Sequence, residues 1–225
     1  ADHCLYWAIS NSMDINTRKT KEMIINFSKT GMNIPPLRMN NTVIERVSST
    51  KLLGLHISDD LSWEEHVNNI YKKAAKRLHS LVLLKRAGVS PKDMLTYYIA
   101  MIRPVMEYCC QVWHTRLTKS QSEILESVQK RALRIIYCPP QYKEEYGILL
   151  QSSKLDSLAD RRSKLCLKLF EQMQCENHKL HSLLVPYMNA DRQTRVSKDF
   201  KLPICRTNRL KDSFIPSCIN KLLIS

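Results

Sequence analysis

Glycine is scarce: four residues in a chain of 225. That argues against Gly-rich phosphate loops, dinucleotide-type loops and long flexible linkers. No Gly-x-Ser-x-Gly element marks a nucleophile on a strained turn. No apolar run approaches the roughly 18–20 residues needed to span a bilayer, so no membrane partner is expected. The opening residues, ADHCLYWAIS, lack the basic stretch and continuous apolar run of a secretory leader. The eight cysteines (Cys4, Cys109, Cys110, Cys138, Cys166, Cys175, Cys205 and Cys218) are therefore read as reduced thiols of an intracellular protein, nuclear or cytoplasmic. Cys175-x-x-His178 has metal-ligand spacing, but no Cys-x-x-Cys lies nearby, so no metal is assigned. Iron chemistry lacks its His-x-Asp pair with a distant His. Adjacent Cys109-Cys110 is expected inside an apolar helix and reads as core.

What the sequence has is positive charge. Lys and Arg number 35 against 21 Asp and Glu, giving +14 and a pI near 9.5. Such an excess favours a polyanionic partner, most often nucleic acid. Hydrophobic residues make up 44%, enough for a core, and the length suits one or two domains. The chain opens on Ala1, and its first residues already read as mid-helix, so it is taken as a fragment.

The pattern predicts an α+β, mainly α, architecture. Leu5, Ile9 and Met13 share a helical face over about residues 1–14. Glu22 to Phe27 is β-prone. Leu37-Arg38-Met39 and Thr42 to Val47 flank Asn40-Asn41, whose side chains tolerate positive φ, and so read as a hairpin. Lys51 to Ile57 reads as a third strand. These strands bury little, so this piece is expected to continue a larger sheet. From Ser62, a capping residue with Glu65 three positions on, the period changes. Val67, Ile70, Ala74, Leu78 and Leu81 define a helix that Gly88 ends. Ser90-Pro91 opens a second, kinked at Pro104, with Met94, Leu95, Tyr98, Ile102 and Val105 inward. A third starts near Thr118, carries Leu125, Val128, Ala132 and Ile135 inward, and stops at Cys138-Pro139-Pro140. A fourth runs from about Asp156 to Gln174 through Leu158, Leu165, Leu169 and Met173. A short helix near Ile215–Leu223 is expected to dock back. Trp63 is expected to pack under a helix start, and Trp113 and Tyr108 in the core.

Four blocks, in this order, resemble LINE-type (non-LTR) retrotransposon reverse transcriptases. Asn16 to Met23 is similar to the N-x-x-K-T-K element after the active-site hairpin (palm motif D). Ser48 to Leu55 is similar to the K-x-L-G primer-grip strand. Leu61 to His66, with the basic helix behind it, is similar to the start of the thumb. Gln129 to Ile136 is similar to a basic helix after the thumb. The resemblance implies a C-terminal palm remnant with a primer-grip hairpin over 1–60, a helical thumb-like bundle over 61–140 and a basic helical extension over 141–225. It implies RNA and DNA duplex as partners, together with the upstream polymerase portion of the same polyprotein. The family's metal-binding Tyr/Phe-x-Asp-Asp turn is missing. Mg²⁺ would therefore be needed only by the absent catalytic palm, no cofactor is assigned here, and the chain alone is expected to be inactive. Asp59-Asp60, the adjacent Asp pair, reads as a solvated helix-entry turn. Part of the Lys51 to Leu81 segment also resembles a short region of AlkB-type repair proteins, but that activity's iron ligands are absent.

The candidate nucleic-acid contacts are Lys72, Lys73, Lys76, Arg77, Lys85 and Arg86, with no acidic residue from Lys72 to Arg86. A second set is Lys130, Arg131 and Arg134, with Arg131 and Arg134 one turn apart. A third is the tail, Arg192, Arg195, Lys198, Lys201, Arg206, Arg209 and Lys211. By the resemblance, Lys51, Leu52, Leu53 and Gly54 form a primer-grip-like element, and Lys19 and Lys21 are motif-D-like lysines. The alternative reading is a host-retained helical module that binds nucleic acid or protein without polymerase activity.

Overall fold

The computed structural model describes residues 2–28, 33–138, 145–184 and 204–224. The architecture is α+β and mainly helical, as the periodicity implies. Two compact units meet in the sequence after Asn68, within the helix Glu64–Arg86. Pro139, Pro140, Arg192, Arg195, Lys198 and Lys201 lie outside the described residues.

The first unit opens with α1 (Asp2–Ser10) and continues through six short strands: β1 (Lys21–Glu22), β2 (Arg38–Met39), β3 (Thr42–Val43), β4 (Glu45–Arg46), β5 (Ser49–Leu52) and β6 (Leu55–Ser58). Helix α1 stops sooner than expected. The side-chain amide of Asn11 donates to the Trp7 carbonyl at 2.8 Å, and Ser12 takes φ +53°. The inward face is Ala8; Ile9 and Met13, expected inside, are exposed. The expected strand over 22–27 shrinks to β1, which pairs parallel with β4. Arg46 clamps that pair, donating to Glu22 at 2.8 Å and to the Ile34 and Pro35 carbonyls at 3.1 Å each.

The two hairpins follow turn chemistry. Asn40 (φ +46°) and Asn41 (φ +60°) join β2 and β3, as expected. The single strand expected over Lys51–Ile57 is instead a second hairpin, β5–β6, with Leu53 (φ +47°) and Gly54 (φ +89°) at its tip. Glycine takes that conformation freely, whereas a leucine there costs about 1–2 kcal/mol. The next loop is held by Asp60, whose carboxylate accepts from the Ser58 hydroxyl (2.6 Å) and the Ser62 amide (2.8 Å). Those bonds hold its pKa below the usual carboxylate range. The Ser62 hydroxyl lies 3.3 Å from that of Ser58, and α2 (Glu64–Arg86) begins two residues later. Trp63 is buried edge-on to His66, as expected.

The second unit is a helical bundle. Helix α2 buries Ile70, Ala74, Leu78 and Leu81 and ends at Gly88 (φ +75°), whose amide donates to Lys85 while Val89 donates to Leu84. This is a Schellman ending. Ser90 caps α3 (Pro91–Tyr97). The kink expected at Pro104 takes the form of a π-turn, Tyr98–Ile102, leading into α4 (Arg103–Glu107), in which the Arg103 amide donates to the Tyr98 carbonyl. The widened turn accommodates a proline ring that would meet the Ala100 carbonyl in a regular helix. Two short elements were not expected: α5 (Cys110–Trp113), entered through Cys109 at φ +49°, and the 3₁₀ turn His114–Arg116. Helix α6 (Lys119–Tyr137) starts in a capping box of Thr118 and Gln121. Then follow α7 (Tyr146–Ser153), also unexpected, α8 (Leu158–Met173), α9 (Asn208–Lys211) and α10 (Phe214–Ile224).

The main core joins Ala74, Leu78 and Leu81 of α2, Met94, Tyr98, Ile102 and Met106, Val128, Ala132 and Ile136 of α6, and Leu158. Ile135, expected inward, packs half-buried against this core, and Ile136 is buried within it. The inward stripe of α8 is Leu158, Arg162, Cys166, Phe170 and Met173; Leu165 and Leu169, expected inside, are half-buried. Helix α10 does dock, packing Cys218 and Ile219 on Cys166, Phe170 and Met173. Trp113 is core, but Tyr108 is 53% exposed.

Two polar groups are built into this interior. Gln129 accepts from the Tyr98 hydroxyl at 2.6 Å and donates to the Tyr146 hydroxyl at 2.8 Å and the Asp156 carbonyl at 2.9 Å. Tyr146 in turn donates to Glu126, whose carboxylate also receives the first amides of α8, Leu158 at 3.0 Å and Ala159 at 3.3 Å. The second group is Arg162, wholly buried over the Trp113 ring, with its Nε donating to His114 Nδ1 at 3.3 Å. Burial, with the Arg162 and Lys221 charges beside it, pushes the His114 pKa down to about 3.

Two outcomes follow. Gln129→Ala removes the acceptor of a fully buried Tyr98 hydroxyl, and should cost about 2–4 kcal/mol. The check is a lower urea midpoint at unchanged slope. For His114, the folded state stays neutral while the unfolded chain binds a proton below about pH 6.5. The unfolded state then holds more protons, so stability falls as pH drops from about 6.5 towards 3, by about 1 kcal/mol per unit where the difference is fully developed. His114→Asn should flatten that part of the acid-unfolding curve, and an unchanged slope would remove His114 as its source.

Candidate nucleic-acid interface

The phase of α2 decides where its cations go. Ala74, Leu78 and Leu81 face the core, so Lys72 and Lys76 project from the opposite side, about 6 Å apart along the axis. Both are exposed, as is Lys73 on the flank. Among the described contacts, no acidic side chain pairs with any of the three. They form a lysine ridge on a helix whose other face is fixed by burial.

The remaining residues of the first candidate set divide. Arg77 is exposed, but its guanidinium donates to the Met101 carbonyl in the π-turn. Lys85 was read as a surface contact and is not one. Its ammonium donates to the Ile135 and Cys138 carbonyls at 2.5 and 2.6 Å. It thus satisfies carbonyls that the end of α6 leaves open, where the helix dipole favours a cation. Arg86, in the last turn of α2, is exposed.

The α6 set also splits. Lys130 lies over the Tyr146 ring, 5.3 Å from its centroid. Arg131 is exposed. Arg134 is half-buried and its Nε has no hydrogen-bond partner among the described residues. In the tail, Arg206, Arg209 and Lys211 are exposed around the short helix α9.

In the first unit, Lys51, Leu52, Leu53 and Gly54 form the end of the β5–β6 hairpin. Lys51 is exposed, Leu52 is 56% exposed and Leu53 is 82% exposed. Lys19 is exposed in the turn set by Asn16, whereas Lys21 pairs with Glu45 across β1 and β4. Lys21 thus holds a sheet rather than standing free.

Asp60 is taken up by its own loop. Among the described residues no group of three or more His, Cys, Asp or Glu side chains converges. His178 Nδ1, next to Cys175, accepts from the Leu180 amide. No helix among the described residues is long and apolar enough to cross a membrane.

One polar cluster escaped the sequence reading: His114, Arg162, Ser163 and Lys221. Its members come from three distant segments. A partial signal existed, because Arg162 stands four residues from both Leu158 and Cys166, on the inward stripe of α8.

Comparison with known proteins gives one consistent likeness. The chain is 24% identical over 200 residues to the RNA-directed DNA polymerase from mobile element jockey of Drosophila melanogaster, covering 87% of this chain and 21% of that protein. It is 22% identical over 181 residues to the probable RNA-directed DNA polymerase from transposon X-element of the same organism, covering 79% of this chain and 19% of the relative. Against the probable RNA-directed DNA polymerase from transposon BS, also of Drosophila melanogaster, it is 21% identical over 141 residues, covering 62% and 15%. The chain thus spans about a fifth of the length of these relatives. No family model and no solved structure matches it. Over most of its length the chain is similar to RNA-directed DNA polymerases of mobile elements, which is the likeness to LINE-type (non-LTR) reverse transcriptases that its four sequence blocks carry.

Proposed function

We propose that this chain is the duplex-gripping part of a retrotransposon RNA-directed DNA polymerase, without the carboxylates that perform the polymerisation. The observation that carries this reading is the ridge of Lys72, Lys73 and Lys76, exposed and without a carboxylate partner on the outer side of α2. Lysines one turn apart on a rigid helix reach phosphates along a strand. Such contacts position a duplex without reading its sequence. Arg86 extends the ridge. In the first unit, taken by itself, Lys51 of the β5–β6 hairpin is an exposed cation. The similarity to RNA-directed DNA polymerases supports an RNA–DNA hybrid as the substrate in this reading.

The first unit supports a further part of the reading. Its three ladders have two strands each, and Tyr6, Trp7, Ile9, Ile25, Val43 and Leu52 are exposed apolar side chains. Isolated two-stranded ladders are marginal in water. In this proposal the unit completes a larger sheet supplied by the upstream portion of the polymerase.

Two measurements test the proposal. The triple variant Lys72→Ala, Lys73→Ala, Lys76→Ala should weaken binding to an RNA–DNA hybrid. The slope of log K against log salt should fall by about 2–3, near 0.9 per lost phosphate contact. An unchanged slope would exclude the ridge. Lys85→Ala, by contrast, should lower stability by about 1–2 kcal/mol through the uncapped end of α6. In addition, the 225-residue chain with Mg²⁺, hybrid and deoxynucleotides should extend no primer; measurable extension would overturn the assignment of catalysis to absent residues.

A further inference from the structure

We propose that Ser163, His114 and Lys221 form a phosphate-binding site between α8, α10 and the 3₁₀ turn after α5. This site is separate from the lysine ridge and does not rest on it. The Ser163 hydroxyl oxygen accepts from the Lys221 ammonium at 3.0 Å and lies 3.0 Å from His114 Nε2. Arg162 fixes the tautomer of that histidine. Its Nε donates to His114 Nδ1 at 3.3 Å, so Nδ1 is the acceptor and the ring proton sits on Nε2, facing Ser163. Two donors therefore end on one neutral oxygen, and the Ser163 proton is left to donate outward. The Ser163 hydroxyl and the remaining Lys221 N–H bonds thus face outward, held in place by the imidazole, and among the described residues no carboxylate pairs with them.

The charge around them is positive. Arg162 is wholly buried behind His114, and its Nη1 has no hydrogen-bond partner among the described residues. The neighbouring carboxylates are otherwise engaged. Glu107 pairs with Arg161 at 2.6 Å and Arg103 at 3.4 Å. Glu126 is taken by Tyr146 and the first amides of α8. Glu126 and Glu107 still act on Arg162, but burial outweighs them and lowers its pKa, so the guanidinium behind the site keeps the local potential positive. Ser163 and His114 are half-buried and Lys221 is exposed, so an anion has access to the donors while Arg162 acts from behind. A tetrahedral group with several acceptor oxygens matches a hydroxyl on one helix and an ammonium, with its several N–H bonds, on the next. A carboxylate, with its planar pair of oxygens, would serve a fork-shaped donor instead. Phosphate is the chemistry that fits, whether in a nucleic-acid backbone or as the free ion.

The test uses the full chain and inorganic phosphate against chloride at equal ionic strength. Phosphate should raise the melting temperature and bind measurably by calorimetry. Lys221→Gln and Ser163→Ala should each weaken that binding about tenfold. Both sites tolerate the change: Lys221 is exposed, and alanine is a better helix former than serine. The Lys72→Ala, Lys76→Ala variant should bind inorganic phosphate as the parent does, which separates this site from the ridge. An RNA–DNA hybrid titration with Lys221→Gln then identifies the source. A salt slope lower by about 1 assigns the site to the nucleic-acid backbone, and an unchanged slope with lost phosphate binding assigns it to the free ion. Equal melting temperatures in phosphate and chloride, or undiminished phosphate binding in the double variant Lys221→Gln, Ser163→Ala, would overturn the site.

Discussion

Gln129 sits at the centre of the helical unit, and the bundle closes around the satisfaction of its amide. One side chain receives the Tyr98 hydroxyl from the π-turn, reaches Tyr146 at the start of α7 and binds the Asp156 carbonyl ahead of α8. Through Tyr146 the path continues to Glu126, whose carboxylate holds the N-terminus of α8. A buried network of this kind stabilises only when every member is paired, because the low local dielectric makes an orphan expensive. It therefore fixes the rotation of α6 more tightly than a purely apolar stripe would. Helix α2 packs on the same core, so its own rotation, and with it the direction of its lysines, depends on the same arrangement.

That rotation gives basic residues of one helix three different roles. Lys85 lies four residues beyond Leu81 and seven beyond Leu78, so it falls on the inward side, and its long stem carries the ammonium to the end of α6. Arg77, three residues beyond Ala74, flanks the core and reaches the Met101 carbonyl. Lys72 and Lys76 stand two residues either side of Ala74, half a turn away, and are exposed. Arg162 of α8 repeats the Lys85 case, four residues from both Leu158 and Cys166. A formal charge of +14 therefore overstates what a polyanion can touch, since several of these cations are fastened to carbonyls, rings or carboxylates.

Helical periodicity and caps were readable wherever one residue type has one physical job. Gly88, Ser90-Pro91 and Thr118 mark ends that the structure keeps, and Asn40-Asn41 marks a turn that it keeps. The errors cluster where two readings share a pattern. Leu52-Leu53-Gly54-Leu55 satisfies both a continuous strand and a two-residue hairpin, and the choice rests on a leucine accepting positive φ. In α8 the leucines at 165 and 169 sit one position off the stripe that Arg162 shares, and hydrophobicity alone does not favour an arginine over a leucine for the interior. The polar partners that make Arg162 tolerable lie in other segments, at His114 and Ser122, and no local pattern shows them. The same holds for Lys221, which contacts Ser163 across 58 positions of sequence.

The two units differ in how far they satisfy themselves. The helical unit buries aromatic, aliphatic and polar groups in clusters that close on one another. The first unit buries only a few side chains, among them Met39, Ile44 and Leu55, and leaves aromatic residues of α1 in water. Hydrophobic burial scales with area, so the first unit gains little from its own folding. Tyr6, Trp7 and Ile9 are apolar side chains that this unit does not itself bury. This fits the division of labour proposed for the chain. In that proposal, lysines on a self-sufficient bundle hold a polyanion by charge, which is sequence-blind and salt-sensitive. The chemistry of extension then falls to carboxylates of another part of the polymerase, and the exposed apolar side chains of the first unit are where the proposal attaches that part.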